Sequence, residues 1–247
     1  MILGRVFPER DDPIDLDAPD ARDRIAELYR PPRPDWLRLN LIGSVSGGAT
    51  GPDGTSETLT NTADRVVLGV IRTLADVVVV GAASVRAEGY FVPRRAALAV
   101  VTRTGDLTGH RITNTGQRGP LIVLCPAAAV ATARRTLGDP AARVIAVPDV
   151  DGSLEATAIV DALREADYEG IVAEGGPGLA AQLVLGGVVD ELCLTTSPLL
   201  NGAAVPLLGP SEFAPRPLTL GHLLVDGTGA TYARWLLGAT AGSAASS

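Results

Sequence analysis

Apolar residues in this chain fall into short runs broken by polar, glycine-rich or proline-rich segments. Residues 36–45 have the pattern of a strand. A glycine-rich loop follows (Gly47, Gly48, Gly51, Gly54), then a helix over about 62–75. Residues 76–81 are an almost unbroken valine run, which suits a strand buried on both faces. Further strands are predicted at 97–102, 121–125, 144–147, 170–174 and 191–195, with helices at 127–137, 154–165 and 178–185. Strands alternating with helices imply an α/β fold, its mainly parallel sheet covered on both sides. The last part breaks that rule. Two strand-like runs, 218–225 and 230–237, flank Asp226-Gly227-Thr228-Gly229, a hairpin signature, so an antiparallel hairpin should finish the sheet.

Residues 1–34 are rich in Asp, Pro and Arg and read as an arm ahead of the domain. They hold one short helix over 20–29, with Asp20 able to cap it and Asp23 in its first turn. Arg30-Pro31-Pro32-Arg33-Pro34 is a stiff spacer, because proline excludes helix and favours extended backbone. The domain is expected over 35–238, and the Ala, Gly, Ser and Thr of 239–247 are expected to be a disordered tail.

Composition narrows the chemistry. With 247 residues and 46% hydrophobic content the chain can bury the core of one large domain. No apolar run approaches the roughly 20 residues of a membrane helix. Glu9, Asp11, Asp12, Asp15 and Asp17 stand where a secretory signal carries basic residues, so no membrane association and a cytoplasmic location are expected. A net charge of −7 without a basic run argues against a nucleic-acid partner. All 21 basic residues are arginine. That excludes Schiff-base chemistry, a P-loop and any lysine base. His110 and His222 lack zinc-type spacing, so no metal site is expected, and Cys125 and Cys193 read as buried thiols.

In open α/β sheets, ligands bind beyond the carboxyl ends of the strands. Three loops there carry candidate chemistry. Glu174-Gly175-Gly176-Pro177-Gly178-Leu179 leaves a buried strand and enters a helix. Its glycines admit a ligand to the backbone, and the helix start favours a phosphate. Glu174, a carboxylate ending an apolar strand, either pairs locally or meets a ligand. Gly81-Ala82-Ala83-Ser84-Val85-Arg86 combines small residues with a hydroxyl and a guanidinium, although small residues entering a helix also serve packing. Thr102-Arg103-Thr104-Gly105 could grip a 2′-phosphate or be an exposed polar turn.

Together with Leu39-Asn40-Leu41-Ile42-Gly43-Ser44-Val45-Ser46-Gly47, Thr62-Ala63-Asp64-Arg65, Val189-Asp190-Glu191-Leu192 and Ser197-Pro198-Leu199-Leu200-Asn201-Gly202, these segments resemble the reductase domain of the bifunctional riboflavin deaminase-reductase family, in order from about residue 35 to 237. The resemblance implies a dihydrofolate reductase-like three-layer fold, a homodimer and NADPH as cofactor. NADPH would be held by Gly43, Gly81, Ala82, Ser84, Val85, Thr102, Arg103, Gly175, Gly176, Pro177, Gly178 and Leu179. It implies a small heterocyclic substrate, 5-amino-6-(5-phosphoribosylamino)uracil or a relative, reduced at its ribosyl carbon. Asn40, Ser46, Thr60, Arg72 and Glu174 would lie at the substrate, with Arg72 toward its phosphate and Glu174 as the catalytic group. The His-x-Glu and Pro-Cys-x-x-Cys signature of the deaminase half does not occur in this sequence.

Two positions depart from the family. Asn40 stands where a lysine is usual, and Ser46-Gly47 where an Asp-Gly is usual. Loss of a cation and an anion beside the substrate changes which of its groups can be paired. Dihydrofolate or pteridine reduction, and nucleotide binding without catalysis, therefore stand as alternatives.

Overall fold

The computed structural model describes residues 1–115, 117–202 and 205–238; the expected tail at 239–247 lies outside them. Its strands in chain order are β1 (Ile2–Phe7), β2 (Ile14–Asp15), β3 (Leu37–Ser44), β4 (Val77–Gly81), β5 (Tyr90–Phe91), β6 (Ala97–Val101), β7 (Ile112–Thr113) and β8 (Leu121–Cys125). They continue with β9 (Arg143–Ala146), β10 (Asp149–Val150), β11 (Ser153–Leu154), β12 (Ile171–Gly175), β13 (Glu191–Ser197), β14 (Leu218–Asp226) and β15 (Thr231–Leu237). The helices are α1 (Ala21–Tyr29), α2 (Thr62–Thr73), α3 (Ala82–Ala87), α4 (Val130–Leu137), α5 (Ala156–Arg164) and α6 (Pro177–Leu185).

One sheet of 11 strands runs in the order β2-β1-β14-β15-β13-β3-β12-β4-β6-β8-β9. From β13 to β9 every neighbouring pair is parallel; from β13 back to β2 every pair is antiparallel. The valine run explains the layers. In β4, Val77 and Val79 point into a core shared with Leu163 of α5 and Leu183 of α6. Val78 and Val80 point the other way, into a core shared with Val85 of α3 and Leu137 of α4. A third cluster places α1 and α2 beside the antiparallel end, with Ile25, Tyr29, Val67 and Ile71 against Leu224 and Tyr232. This is the three-layer, mainly parallel α/β fold that the pattern implies.

Residues 1–34 correct the expectation of a separate arm. β1 pairs antiparallel with β14, setting Leu3 opposite Asp226, and β2 extends the sheet beyond it. The hairpin of β14 and β15 is therefore not the last element of the sheet. Without β1, β14 would present a row of unpaired backbone groups, and the extended N-terminal segment covers them. Asp20 precedes α1 without a side-chain cap; only its carbonyl accepts, from the Arg24 N–H. The Asn61 side chain does cap α2, accepting from the Asp64 N–H at 2.9 Å.

A fully buried carboxylate holds these parts together. Glu191 opens β13 and accepts from Arg38 Nε of β3 at 2.5 Å, from Arg234 Nη2 of β15 at 2.8 Å and from Trp36 Nε1 at 2.8 Å. Burial alone would raise its pKa, but the two guanidiniums more than reverse that and hold it below the usual carboxylate value. The same arginines donate onward to the end of α1, Arg38 to the Tyr29 carbonyl and Arg234 to those of Leu28 and Arg30. Nearby, His222 is buried edge-on to Tyr29, with ring centroids 4.6 Å apart, and its Nε2 meets no partner among the described residues. Cys125 and Cys193 are buried and free. Among the described residues no helix is long and apolar enough to cross a membrane.

Two predictions follow the N-terminal segment and the buried imidazole. Leu3→Ala lowers the unfolding free energy by about 2–4 kcal/mol in denaturant titration, a cost that a detached arm would not show. Burial, with Arg234 next, pulls His222 from 6.5 to about 4. Between those values the unfolded chain binds the proton and the folded one does not. The contribution of neutral His222 is thus complete above pH 6.5 and fades by roughly 3 kcal/mol as pH falls through 4. His222→Phe should flatten that part of the stability profile in urea melts.

Candidate active site

At the carboxyl edge of β3, β12, β4 and β6 two clefts open. The first, about 870 Å³, is bounded by Gly81, Ala82, Thr102 and Arg103 on one side and by Gly178 and Leu179 on the other. The second, about 620 Å³, is lined by Asn40, Thr60, Asp64, Arg72, Tyr90 and Glu174. Ala83, Ser84, Gly176 and Pro177 border both, so the two adjoin.

The junction depends on two glycines. Gly175 takes φ +90°, a left-handed conformation that turns β12 into α6, and Gly176 approaches α3 so closely that a Cβ would sit 2.8 Å from Ser84 Oγ. The Gly176 N–H instead donates to that hydroxyl at 2.9 Å. Pro177 then opens α6, leaving the N–H groups of Gly178 and Leu179 in the first turn without intrahelical acceptors. Those donors, at the positive end of a nine-residue helix, favour an anion in the first cleft. The exposed Arg103 stands across the opening, while the buried Thr102 hydroxyl accepts from the Gly105 N–H at 3.1 Å. Sequence reasoning missed the third wall, Ser153, Leu154, Glu155 and Ala156, because the short β10–β11 hairpin that delivers it has no clear pattern of its own.

In the second cleft Arg72 Nε and Nη2 donate to the two carboxylate oxygens of Glu174, each at 2.6 Å. The Glu174 side chain is only 6% exposed. Burial would lower the Arg72 pKa, but the Glu174 charge outweighs it and holds the guanidinium firmly protonated. Of the two readings open for Glu174, local pairing is thus realised, and it occurs within the cleft wall. Arg72 correspondingly does not stand free for a substrate phosphate. Thr60 Oγ1 donates to Asp64 Oδ2 at 2.6 Å. Asp64 is a site residue that the sequence reading did not single out. Burial raises its pKa, against the hydrogen bonds of Thr60 and Thr195 and the charge of Arg65. Burial likewise raises the Tyr90 phenol, with the charges of Glu174 and Glu88 adding to the effect.

Four expected residues fall outside both clefts. Ser46 ties loops together instead: its hydroxyl meets Ser44 Oγ at 3.0 Å and donates to the Asn201 carbonyl at 2.7 Å. Gly43 is a packing contact, where a Cβ would come within 3.2 Å of Leu207. Val85 is buried in the core under α3, and Gly175 shapes the turn without lining either space.

A covered, mainly parallel sheet with an anion-receptive helix start and a carboxylate-lined cleft side by side at one edge defines an α/β protein with two adjacent clefts. The chain belongs to the RibD C-terminal domain family, whose model matches residues 35–232. Its fold is similar to that of a pyrimidine reductase-like protein from Corynebacterium diphtheriae, at 25% identity over 82% of this chain and 91% of that one, with a TM-score of 0.65. It also resembles the diaminohydroxyphosphoribosylaminopyrimidine deaminase/5-amino-6-(5-phosphoribosylamino)uracil reductase of Thermotoga maritima, at 16% identity over 85% of this chain and a TM-score of 0.66. The match spans 57% of that protein. The riboflavin biosynthesis reductase of Saccharomyces cerevisiae is similar at 13% identity over 87% of this chain and 97% of that one, with a TM-score of 0.57. No curated protein matches the sequence significantly.

The ion pair gives an asymmetric prediction. Arg72→Ala leaves the Glu174 carboxylate buried and unpaired and should cost about 3 kcal/mol of stability. Glu174→Gln keeps a hydrogen-bonding partner for Arg72 and should cost about 1 kcal/mol in the same chemical-denaturation assay.

Proposed function

We propose that this chain is an NADPH-dependent reductase acting on a small nitrogen heterocycle of the riboflavin-pathway type, 5-amino-6-(5-phosphoribosylamino)uracil or a near relative. The observation that carries the reading is the junction of the two clefts at Ser84, Gly176 and Pro177, where a dinucleotide in one would meet a heterocycle in the other. The first cleft suits such a cofactor by its donors: the Gly178 and Leu179 N–H groups at the start of α6 fit a diphosphate, and Arg103 beside Thr102 and Thr104 fits a 2′-phosphate. Gly176 lets α3 pack closely against this turn, since a Cβ there would sit 2.8 Å from Ser84 Oγ. When bound, the cofactor supplies a hydride equivalent.

The chain's own residues then have distinct tasks. Arg72 fixes the plane of the Glu174 carboxylate through two hydrogen bonds, so its remaining lone pairs can accept N–H groups on the edge of a heterocycle. Asp64 keeps its proton to higher pH than an ordinary carboxyl and can deliver it within the same cleft. Asn40 offers an amide that both donates and accepts, where a lysine would only donate. Two carboxyl groups facing one cleft also favour a second reading, reduction of a pteridine such as dihydrofolate.

NADPH oxidation followed by absorbance, with the pyrimidine and dihydrofolate supplied separately, distinguishes these. Turnover of the pyrimidine supports the first reading, turnover of dihydrofolate alone the second, and NADPH binding without either defeats both in favour of a binding protein. Glu174→Gln should retain NADPH binding while losing turnover by about 10²-fold, and undiminished turnover would remove Glu174 from its assigned role.

A further inference from the structure

Among the residues lining the second cleft are four acidic side chains, Glu57, Asp64, Glu88 and Glu174, and two guanidiniums, Arg65 and Arg72. Both cations are already matched. Arg72 is held by Glu174 through two hydrogen bonds, and Arg65 is paired with Glu57 at the mouth. Asp64 is satisfied by the Thr60 hydroxyl, and Glu88 by the Ser56 N–H at 2.7 Å and its hydroxyl at 3.1 Å, all uncharged donors. The cleft therefore holds two acidic groups more than it has cations, Glu88 and the buried Asp64 that tends to keep its proton, and the donors facing it from β3 are neutral. Asn40 contributes an amide there.

A phosphate monoester needs convergent cationic or N–H donors to replace its water. Drawing Arg72 away to supply them would strip the buried Glu174 of its counter-charge, which costs far more than a surface pair does. The N–H of Gly176, which lines both clefts, is already committed to Ser84. Arg65 is the exception, because its pair with Glu57 is exposed, 58% and 69% at the two side chains, and such pairs are weak.

We propose that the second cleft selects a heterocycle without a phosphate group, neutral or cationic, with any sugar or side chain unphosphorylated. This rests on the reading of that cleft as the substrate site and, within that reading, narrows the substrate from the phosphorylated pyrimidine to an unphosphorylated relative. Selectivity comes from repulsion, a specificity device that acts against the wrong ligand rather than for the right one.

Calorimetric titration of the NADPH-loaded full chain with 5-amino-6-ribosylaminouracil and with its 5′-phosphate tests it. The unphosphorylated compound should bind at least about tenfold more tightly, and the gap should narrow as ionic strength is raised to roughly 0.15 M, because salt screens repulsion. Glu57→Gln, which frees Arg65, should narrow the gap further at low salt. Equal or tighter binding of the phosphorylated compound overturns the inference, as does a gap indifferent to both salt and Glu57→Gln. Parallel NADPH oxidation separates the two proposals. An affinity gap without oxidation of NADPH by either compound sinks the reductase reading but not this one. A higher kcat/KM for the phosphorylated compound sinks this one and leaves the reductase reading standing.

Discussion

A carboxylate removed from water must be matched by positive charge, and Glu191 imposes that demand where the parallel and antiparallel parts of the sheet join. The two arginines that meet it come from the strands on either side, so the charge balance closes only when β3, β13 and β15 are in register. Their remaining donors reach the carbonyls at the end of α1 and draw the N-terminal segment onto the same surface. An electrostatic requirement at one residue thus sets the relative position of three strands and a helix. β3 carries that placement to the opposite edge of the sheet, where Asn40 and the loop after Ser44 border the candidate site.

The candidate site applies the same rule with less burial. Arg72 and Glu174 compensate one another at the cleft wall, α2 supplying the cation and β12 the anion. A neutral contact joins α3 to the turn before α6, Ser84 accepting from the Gly176 N–H, and Asn61 caps the start of α2. The edge of the sheet is thereby fixed before any ligand arrives, and an incoming molecule meets a preset pattern of charge.

Much of this was legible in the sequence where local pattern and global environment agree. The valine run at 77–80 needs no alternation, because helices cover both of its faces, and it reads as a strand for that reason. The Glu-Gly-Gly-Pro turn is legible because left-handed backbone and close approach leave few options but glycine. What escaped depends on distant partners. The Ile2–Phe7 strand buries little beyond Leu3 and lies among Asp and Pro, and only an open edge far along the chain makes it a strand. Asp64 in the first turn of α2 looks like an ordinary partner of the helix dipole, until packing turns it inward. Arg72 and Glu174 are far apart in sequence, and no local signal links them. Ser46 sits in the expected loop, but Asn201 takes its hydroxyl.

The pairing of β1 with β14 also orders events during synthesis. Ile2–Phe7 is synthesised well before β14, so that pairing forms only after the intervening parallel strands have been made. Its acidic and proline-bearing continuation, Pro8 to Pro13, suits that delay, because charge and proline discourage an idle edge from joining a neighbouring chain. Closing the sheet is in this sense a late event, since Ile2–Phe7 has no β14 edge to join until that strand has been made.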